Sequence, residues 1–359
     1  MVVLREPQDP RFVLSFDVED AQGSSAHLNE WGFVVYRDVY SAEECIAARD
    51  GMWDVVEQGN PGFMRDDRST WDCFKSAGKY GLGSRGPVFH PVLVANRQNE
   101  RLARALSTCL EVSEDDVMVS HDRFTIYRAT VLDDTVFGDC SRFRTGRRNV
   151  HLDLNPWWWL ESSRDILVGA ESLQYLDAQD FIKENNLVVK SMGRHVQCVL
   201  NFADNLEQDG GTLIVPRFHS RLEEWSTEHA RLRKPVPFVT FQGKDGEQSE
   251  EELLRQAVRI PMRQGSVLVW LQTVMHGTEP NASANTRFAQ FVKAFSRSAV
   301  FGPNGAAAGS CGSSSGDQGP FAAERLRRRS SALEALLAEA GSANTVTPRG
   351  ISLFGLDRK

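Results

Sequence analysis

Apolar residues recur along this chain with two periods, and the switch between them marks its elements. The run "WGFVVYRDVY" (31–40) is strand-like and passes into "SAEECIAARDGMWDVVEQ" (41–58). There Ser41, with Glu44 three residues on, forms a capping box at the start of a helix. Residues 61–99, rich in Gly, Pro and aromatics, are expected to be irregular. The stretch "QNERLARALSTCLE" (98–111) has helical spacing, and "VMVSHDRFTIYR" (117–128) reads as extended.

The middle of the chain reads as β. "HVQCVLNFAD" (195–204) is followed by turn chemistry in "NLEQDGG" and by "TLIVP" (212–216). Two more β-rich runs, "GSVLVWLQTVMHGT" (265–278) and "TRFAQFVKAFS" (286–296), flank "EPNASAN". Strands joined by connections of varied length predict an antiparallel sandwich or barrel. Residues 160–194 form a polar, partly helical insertion. Residues 302–319 are low-complexity and read as a loop, followed by a helix that stops near Gly341. The expected organisation is one domain over 1–359, with no internal repeat. Its parts are a strand and helix support at 27–130, a β core at 145–300 carrying the 160–194 insertion, and a C-terminal helix and tail at 320–359.

Composition narrows the function. The 359 residues are 41% apolar and 25% charged, with a net charge of −7. That is globular, and the acidic balance argues against a nucleic-acid partner. The basic clusters Arg142–Arg148 and Arg325–Arg329 are local and read as solvated faces. Six cysteines without C-x-x-C spacing read as reduced. No segment reaches the roughly 18 apolar residues of a membrane span. The start "MVVLREPQDPRF" is not a signal peptide, and the ending "LDRK" is not a peroxisomal address. The expected setting is cytoplasmic and the expected partner a small molecule, with no membrane and no nucleic acid. The sequence leaves oligomeric state open.

Candidate chemistry lies in "HLDLNPWWWL" (151–160). On a strand, residues i and i+2 share a face, so His151 and Asp153 project together. His276 ends an apolar run before "GTEPN" and supplies a third ligand. Two histidines and a carboxylate with open positions form the facial triad of non-haem Fe(II) oxygenases. Arg287 follows His276 at the start of the next run, with Ala289, Phe291 and Phe295 as its inward neighbours. An arginine turned into an apolar interior needs an anion, either a bound carboxylate or an internal partner such as Asp204 or Glu279. Thr278 shares the face of His276.

The order H-x-D, "DGGTLIVPRFH", "GSVLVW…MHGT" and an arginine after it resembles the phytanoyl-CoA dioxygenase-like family. The likeness begins near Trp31, includes "HLDLNP" and "HVQCVLNFAD", and continues to "VTPRGISLFGL". It implies a mainly β fold with α additions: a double-stranded β-helix (jelly roll, cupin-like) core flanked by helices. It implies His151, Asp153 and His276 as iron ligands, and Arg287 with Thr278 as the holder of 2-oxoglutarate. Fe(II), 2-oxoglutarate and dioxygen would then serve a dioxygenase reaction, with hydroxylation of a small organic or lipid-like substrate and release of succinate and carbon dioxide. Related halogenases lack the carboxylate, so Asp153 favours hydroxylation.

Two features depart from the family pattern. Arg217 stands in "PRFH" where a glycine is usual, and the gap from His151 to His276 is long, which the insertion explains. Trp157 and Trp159 are expected at the mouth of the pocket if 157–159 stays extended; the equal alternative is that at least one of the three tryptophans packs under the insertion as core. Gln197 and Tyr127 are further candidates for contact with substrate. Asp204, Gln197 and Asn201 are candidates to orient the histidine ligands, while His121, His195 and His219 read as structural. The competing functions are a non-catalytic jelly-roll scaffold that keeps a metal site, and a cupin-type Zn or Mn hydrolase or isomerase, which has no need of Arg287.

Overall fold

A computed structural model describes residues 4–75, 81–131, 140–302 and 319–357. Among the described residues, ten strands form two antiparallel sheets. The larger runs in the order β1 (Phe33–Tyr36), β8 (Val267–Leu271), β5 (His195–Asn201), β10 (Arg287–Ser296) and β2 (Val117–Val119), and β3 (Phe124–Tyr127) also pairs with β10. The smaller runs β4 (Asn149–His151), β9 (His276–Glu279), β6 (Gly211–Ile214) and β7 (Val258–Arg259). The strand-like run at 31–40 divides: a helix, Ala21–Trp31, ends at Gly32 in the left-handed conformation, and only then does β1 begin. The run 265–278 likewise contains two strands, β8 in one sheet and β9 in the other.

Period-2 alternation assigns the faces of the large sheet. Cys198, Val269, Val292 and Ala294 point one way and pack with Leu102, Leu106 and other residues of the main apolar core. The helix Glu100–Leu110 crosses β2, β5, β8 and β10 on that side. Gln290 confirms the polarity, since its amide donates to the Leu93 carbonyl at 2.9 Å and accepts from Asn96 at 3.0 Å. The opposite face of β10, with Arg287, Ala289, Phe291 and Lys293, looks toward the small sheet. The predicted capping box is present: the Glu44 carboxylate accepts from Ser41 N at 2.7 Å, and Ser41 Oγ accepts from Glu44 N at 3.2 Å.

The antiparallel jelly-roll core is therefore as expected, but among the described residues helical positions outnumber strand positions. The expected low-complexity loop at 302–319 lies almost wholly outside the described residues. No described helix is long and apolar enough to cross a membrane.

The segment 160–194 carries the helices Arg164–Glu171 and Gln179–Glu184. The C-terminal helix, Gly319–Glu339, fastens it through a buried ion pair. Glu184 accepts from Arg325 Nη2 at 2.9 Å, from Arg329 Nε at 3.0 Å and from the Tyr175 hydroxyl at 2.5 Å. Three hydrogen bonds keep this carboxylate ionised against the penalty of burial. A second apolar cluster, including Leu152, Leu154, Trp157, Phe218 and Trp225, lies under the helices Leu222–Glu228 and Lys244–Gln256.

His121 is fully buried between Phe89 and Phe354, and neither ring nitrogen has a partner. Burial, with Arg97 and Arg329 nearby, holds its pKa well below the ordinary 6.5. Below that value the unfolded chain takes up a proton that the folded chain refuses, so this residue removes stability as pH falls. Urea unfolding of His121→Phe is expected to show a smaller loss of stability on acidification than wild type; an unchanged pH dependence would refute the assignment.

Candidate metal centre

β4 and β9 set the site. His151 pairs directly with His276 across the two strands, and their rings lie 4.5 Å apart between centroids. Such an approach requires a glycine at 277, because a Cβ there would stand 1.8 Å from the Asn149 carbonyl oxygen. Just past β4, Asp153 turns its carboxylate between the two rings. Its Oδ1 is 3.7 Å from His151 Nε2, and its Oδ2 is 3.9 Å from His276 Nε2. One ligand atom from each residue lies within 4.8 Å of the others. Two metal–ligand bonds of about 2.0–2.2 Å span nearly that distance, so the set accommodates a divalent ion.

The electrostatics fit the same use. His276 Nδ1 lies 3.0 Å from the Val274 carbonyl oxygen. A carbonyl only accepts, so Nδ1 carries the proton and Nε2 keeps its lone pair turned toward Asp153. Burial, with the His151 ring beside it, pushes His276 down to about 3, which leaves it neutral at physiological pH. Burial alone would raise Asp153, but Lys293, His151 and His276 together hold its carboxyl well below the usual carboxylate range. Lys293 Nζ donates to Asp153 Oδ2 at 2.8 Å and to Asn186 Oδ1 at 2.7 Å. Gln272 Nε2 donates to the backbone carbonyls of Asp153 at 3.0 Å and Asn185 at 2.7 Å, which fixes the loop that carries the ligand.

A cavity of about 530 Å³ opens between the sheets and is lined by all three residues. Arg287, Thr278, Tyr127 and Gln197 line it too. Arg287 is 2% exposed, and among the described residues its one hydrogen bond is a long one of 3.5 Å to Thr212 Oγ1. Its Nε has no partner, and burial lowers its pKa. The internal partners weighed from the sequence are engaged elsewhere: Glu279 pairs with Arg148 at 2.9 Å, and Asp204 accepts from Gln264 N at 2.8 Å. Thr278 does not bond Arg287; its hydroxyl meets the Tyr127 hydroxyl at 2.6 Å, and the guanidinium lies 5.0 Å from the Tyr127 ring centre.

Two expectations are corrected. Trp157 and Trp159 do not line the cavity. Asn155 caps the helix Pro156–Glu161 by accepting from Trp158 N, and Pro156 occupies its first turn, so 157–159 is not extended. Trp157 packs near Trp225 and donates from Nε1 to the Ser226 carbonyl at 2.9 Å, while the Trp159 ring lies under Lys190. Nor do Asp204 and Asn201 orient the histidines, since Asn201 bonds the carbonyls of Ala203 and Arg263.

Lys293 escaped the sequence reading, although strand alternation from Arg287 turns it to the same face. Trp270 also escaped it; its ring lies 5.0 Å from that of His276. Thr240, Phe241, Gln242 and Glu250 bring a further wall from the region before and within the helix Lys244–Gln256.

Residues 28–289 match the phytanoyl-CoA dioxygenase (PhyH) family. A Dictyostelium discoideum protein named "Putative phytanoyl-CoA dioxygenase" is 35% identical over 281 residues, 76% of this chain and 75% of that one. Among solved structures, the "Putative Oxidoreductase from Salmonella typhimurium LT2" superimposes with a TM-score of 0.57 at 13% identity, over 95% of this chain and 85% of that one. That likeness shows the fold. The non-heme alpha ketoglutarate dependent carbocyclase SnoK from nogalamycin biosynthesis aligns at 15% identity over 79% of this chain and 87% of its own, with a TM-score of 0.46.

The geometry makes a test of the metal site direct. Cobalt(II) titration is expected to give one equivalent of bound ion with a d–d spectrum. His276→Ala and Asp153→Ala should lose that spectrum, whereas Trp157→Phe should keep it unchanged. An altered spectrum in Trp157→Phe would mean that the tryptophan belongs to the site after all.

Proposed function

This chain belongs to the phytanoyl-CoA dioxygenase family, and we propose that it is an Fe(II)- and 2-oxoglutarate-dependent dioxygenase that hydroxylates a small organic or lipid-like molecule. The observation that carries the reading is Arg287: a buried guanidinium without an acidic partner among the described residues, in the same cavity as His151, Asp153 and His276. A hydrolase or isomerase needs the metal ligands but not this cation. A scaffold needs neither, and an unpaired buried charge is expensive to keep.

The donor set of two imidazoles and one carboxylate leaves metal positions open, and it suits Fe(II). When bound, Fe(II) supplies oxidative decarboxylation of the co-substrate by dioxygen, coupled to oxidation of a substrate C–H bond, with succinate and carbon dioxide as products. The protein's own residues do the positioning. Arg287 offers a fork of N–H donors that fits the distal carboxylate of 2-oxoglutarate in a bidentate pair. The coupled hydroxyls of Tyr127 and Thr278 stand beside it and can complete the lone pairs of that carboxylate. Val274 fixes the His276 tautomer, and Lys293 keeps Asp153 ionised. Apolar surface from Phe291 and Phe241 keeps the rest of the cavity dry enough for an organic substrate.

Succinate formation from 2-oxoglutarate with Fe(II) and dioxygen is the decisive assay. Wild type is expected to turn over slowly without added substrate, and Asp153→Ala is expected to give none while its thermal melting stays cooperative. Arg287→Met should raise the 2-oxoglutarate concentration for half-maximal rate roughly 100-fold, the loss of a charge-assisted pair worth about 2–3 kcal/mol. Arg287→Lys should recover only part of that, because a point charge does not replace the fork. Ordinary succinate production by Asp153→Ala would sink the proposal.

A further inference from the structure

Besides the triad and Arg287, the cavity contains a row of hydrogen-bond donors that the reaction above does not use. Gln197 on β5 pairs with Trp270 on β8 and with Lys293 on β10. The three side chains therefore stand abreast on adjacent strands, on the face that looks into the cavity, and all three line it. Trp270 is 4% exposed, Gln197 2% and Lys293 9%. Among the described residues, the Trp270 indole N–H and the Gln197 amide nitrogen have no acceptor. An indole nitrogen and an ammonium only donate. Lys293 has three N–H groups, of which Asp153 and Asn186 take two. Buried donors left without acceptors are costly, so a row of them points to a ligand rich in lone pairs.

Charge names the ligand further. The cavity lining contains Arg123, Arg147, Arg287 and Lys293 against Asp122, Asp153 and Glu250. Two of the cations are already paired: Arg123 Nε with Asp122 at 3.0 Å, and Arg147 Nη2 with Glu250 at 2.6 Å. With a divalent ion on neutral histidines and Asp153, and with the dianionic 2-oxoglutarate on that ion and Arg287, one positive charge remains. It sits on Lys293. Arg287 and Lys293 are six residues apart on one strand, roughly 20 Å between their Cα atoms, so they serve opposite ends of the cavity.

We infer that the Trp270–Gln197–Lys293 row is a second carboxylate site, which receives the single anionic group of a monocarboxylate substrate and presents the attached carbon chain to the metal. This deepens the dioxygenase reading and rests on it for the identity of the first anion. Carboxylate chemistry at Lys293 has two possible sources, the substrate or the C1 carboxylate of 2-oxoglutarate, and the test separates them.

Protein loaded with Ni(II), which does not turn over, is titrated calorimetrically with 2-oxoglutarate. The resulting complex is then titrated with hexanoate or with hexanamide, its uncharged isostere. Hexanoate is expected to bind at least about tenfold more tightly than hexanamide. Lys293→Met should abolish that preference, and Arg287→Met should weaken 2-oxoglutarate while leaving the preference intact. Gln197→Leu, which touches no metal ligand, should weaken hexanoate alone; it decides the matter if Lys293→Met loses its metal or its fold.

Equal binding of acid and amide, or no binding of either, overturns the inference. So does a loss of 2-oxoglutarate affinity in Gln197→Leu, which would give the row to the co-substrate. If wild type binds hexanoate through Lys293 but never binds 2-oxoglutarate, the dioxygenase reading fails while the carboxylate site stands.

Discussion

The site depends on keeping one carboxylate ionised inside the protein. Asp153 retains about a quarter of its side-chain exposure, and what is exposed faces the cavity. Burial favours the neutral acid, which would be a poor metal ligand. The Lys293 ammonium at 2.8 Å reverses that preference, and it is itself nearly buried. Removing one member of such a pair leaves a buried charge without compensation, so the two residues require each other. Asn186, which also accepts from Lys293, brings a third element into the arrangement, and Gln272 joins the Asp153 and Asn185 carbonyls. The insertion is thus part of the wall behind the carboxylate. Glu184, two residues before Asn186, is gripped by Arg325 and Arg329. A continuous set of polar contacts runs from the C-terminal helix to Asp153.

The two sheets supply what this polar set cannot, a fixed separation between donors. The direct pairing of His151 with His276 places two imidazoles side by side with no flexible linker between them. Ile214 is the next residue across on β6, so the strand beyond contributes packing and leaves the metal face to the histidines. Two glycines make room. Gly277 lets β4 approach β9, and at Gly211 a Cβ would come within 2.6 Å of Arg287 Nε. The positive φ of Gly211 adds a backbone reason to the steric one. The "DGGT" turn is therefore both a chain reversal and the passage through which the arginine reaches the cavity.

How much of this was legible in the sequence depended on the range of the interaction. His151, Asp153, His276 and Arg287 could be found because period-2 alternation and strand ends are local properties, and the structure brings all four to one cavity. Local rules would also have turned Lys293 inward, six residues after Arg287, but nothing local announces that Asp153 lies opposite it, 140 positions away. The tryptophans failed for the opposite reason. "NPWWW" contains a good N-cap and a proline in the first turn, a helix signal that the bulk of the aromatic rings obscured. The second apolar cluster draws on residues from 150 to 275, so its role as a cover over β4 required tertiary contacts. Thr278 was placed on the right strand and face, but its hydroxyl partner, Tyr127, lies in the other sheet.

The cavity is also electrically lopsided, and that lopsidedness has a mechanical origin. Arg259 lies behind Arg287, and burial with that neighbour pulls it down to about 9. Arg259 is nevertheless well bonded, to the Ile260 carbonyl at 2.6 Å and to Asn205 and the Gly210 carbonyl. Arg287 has no comparable set of acceptors, so the cost of holding two guanidinium groups together falls on the one that faces the cavity. At the other end Lys293 is balanced by Asp153. A dianion that enters between them finds a lone guanidinium at one end and the open positions of a divalent ion at the other, and it is turned accordingly. In the proposed reaction the distal carboxylate of 2-oxoglutarate relieves Arg287, which leaves the 2-oxo acid end for the metal. The orientation of the co-substrate then follows from which cation the fold leaves unpaired.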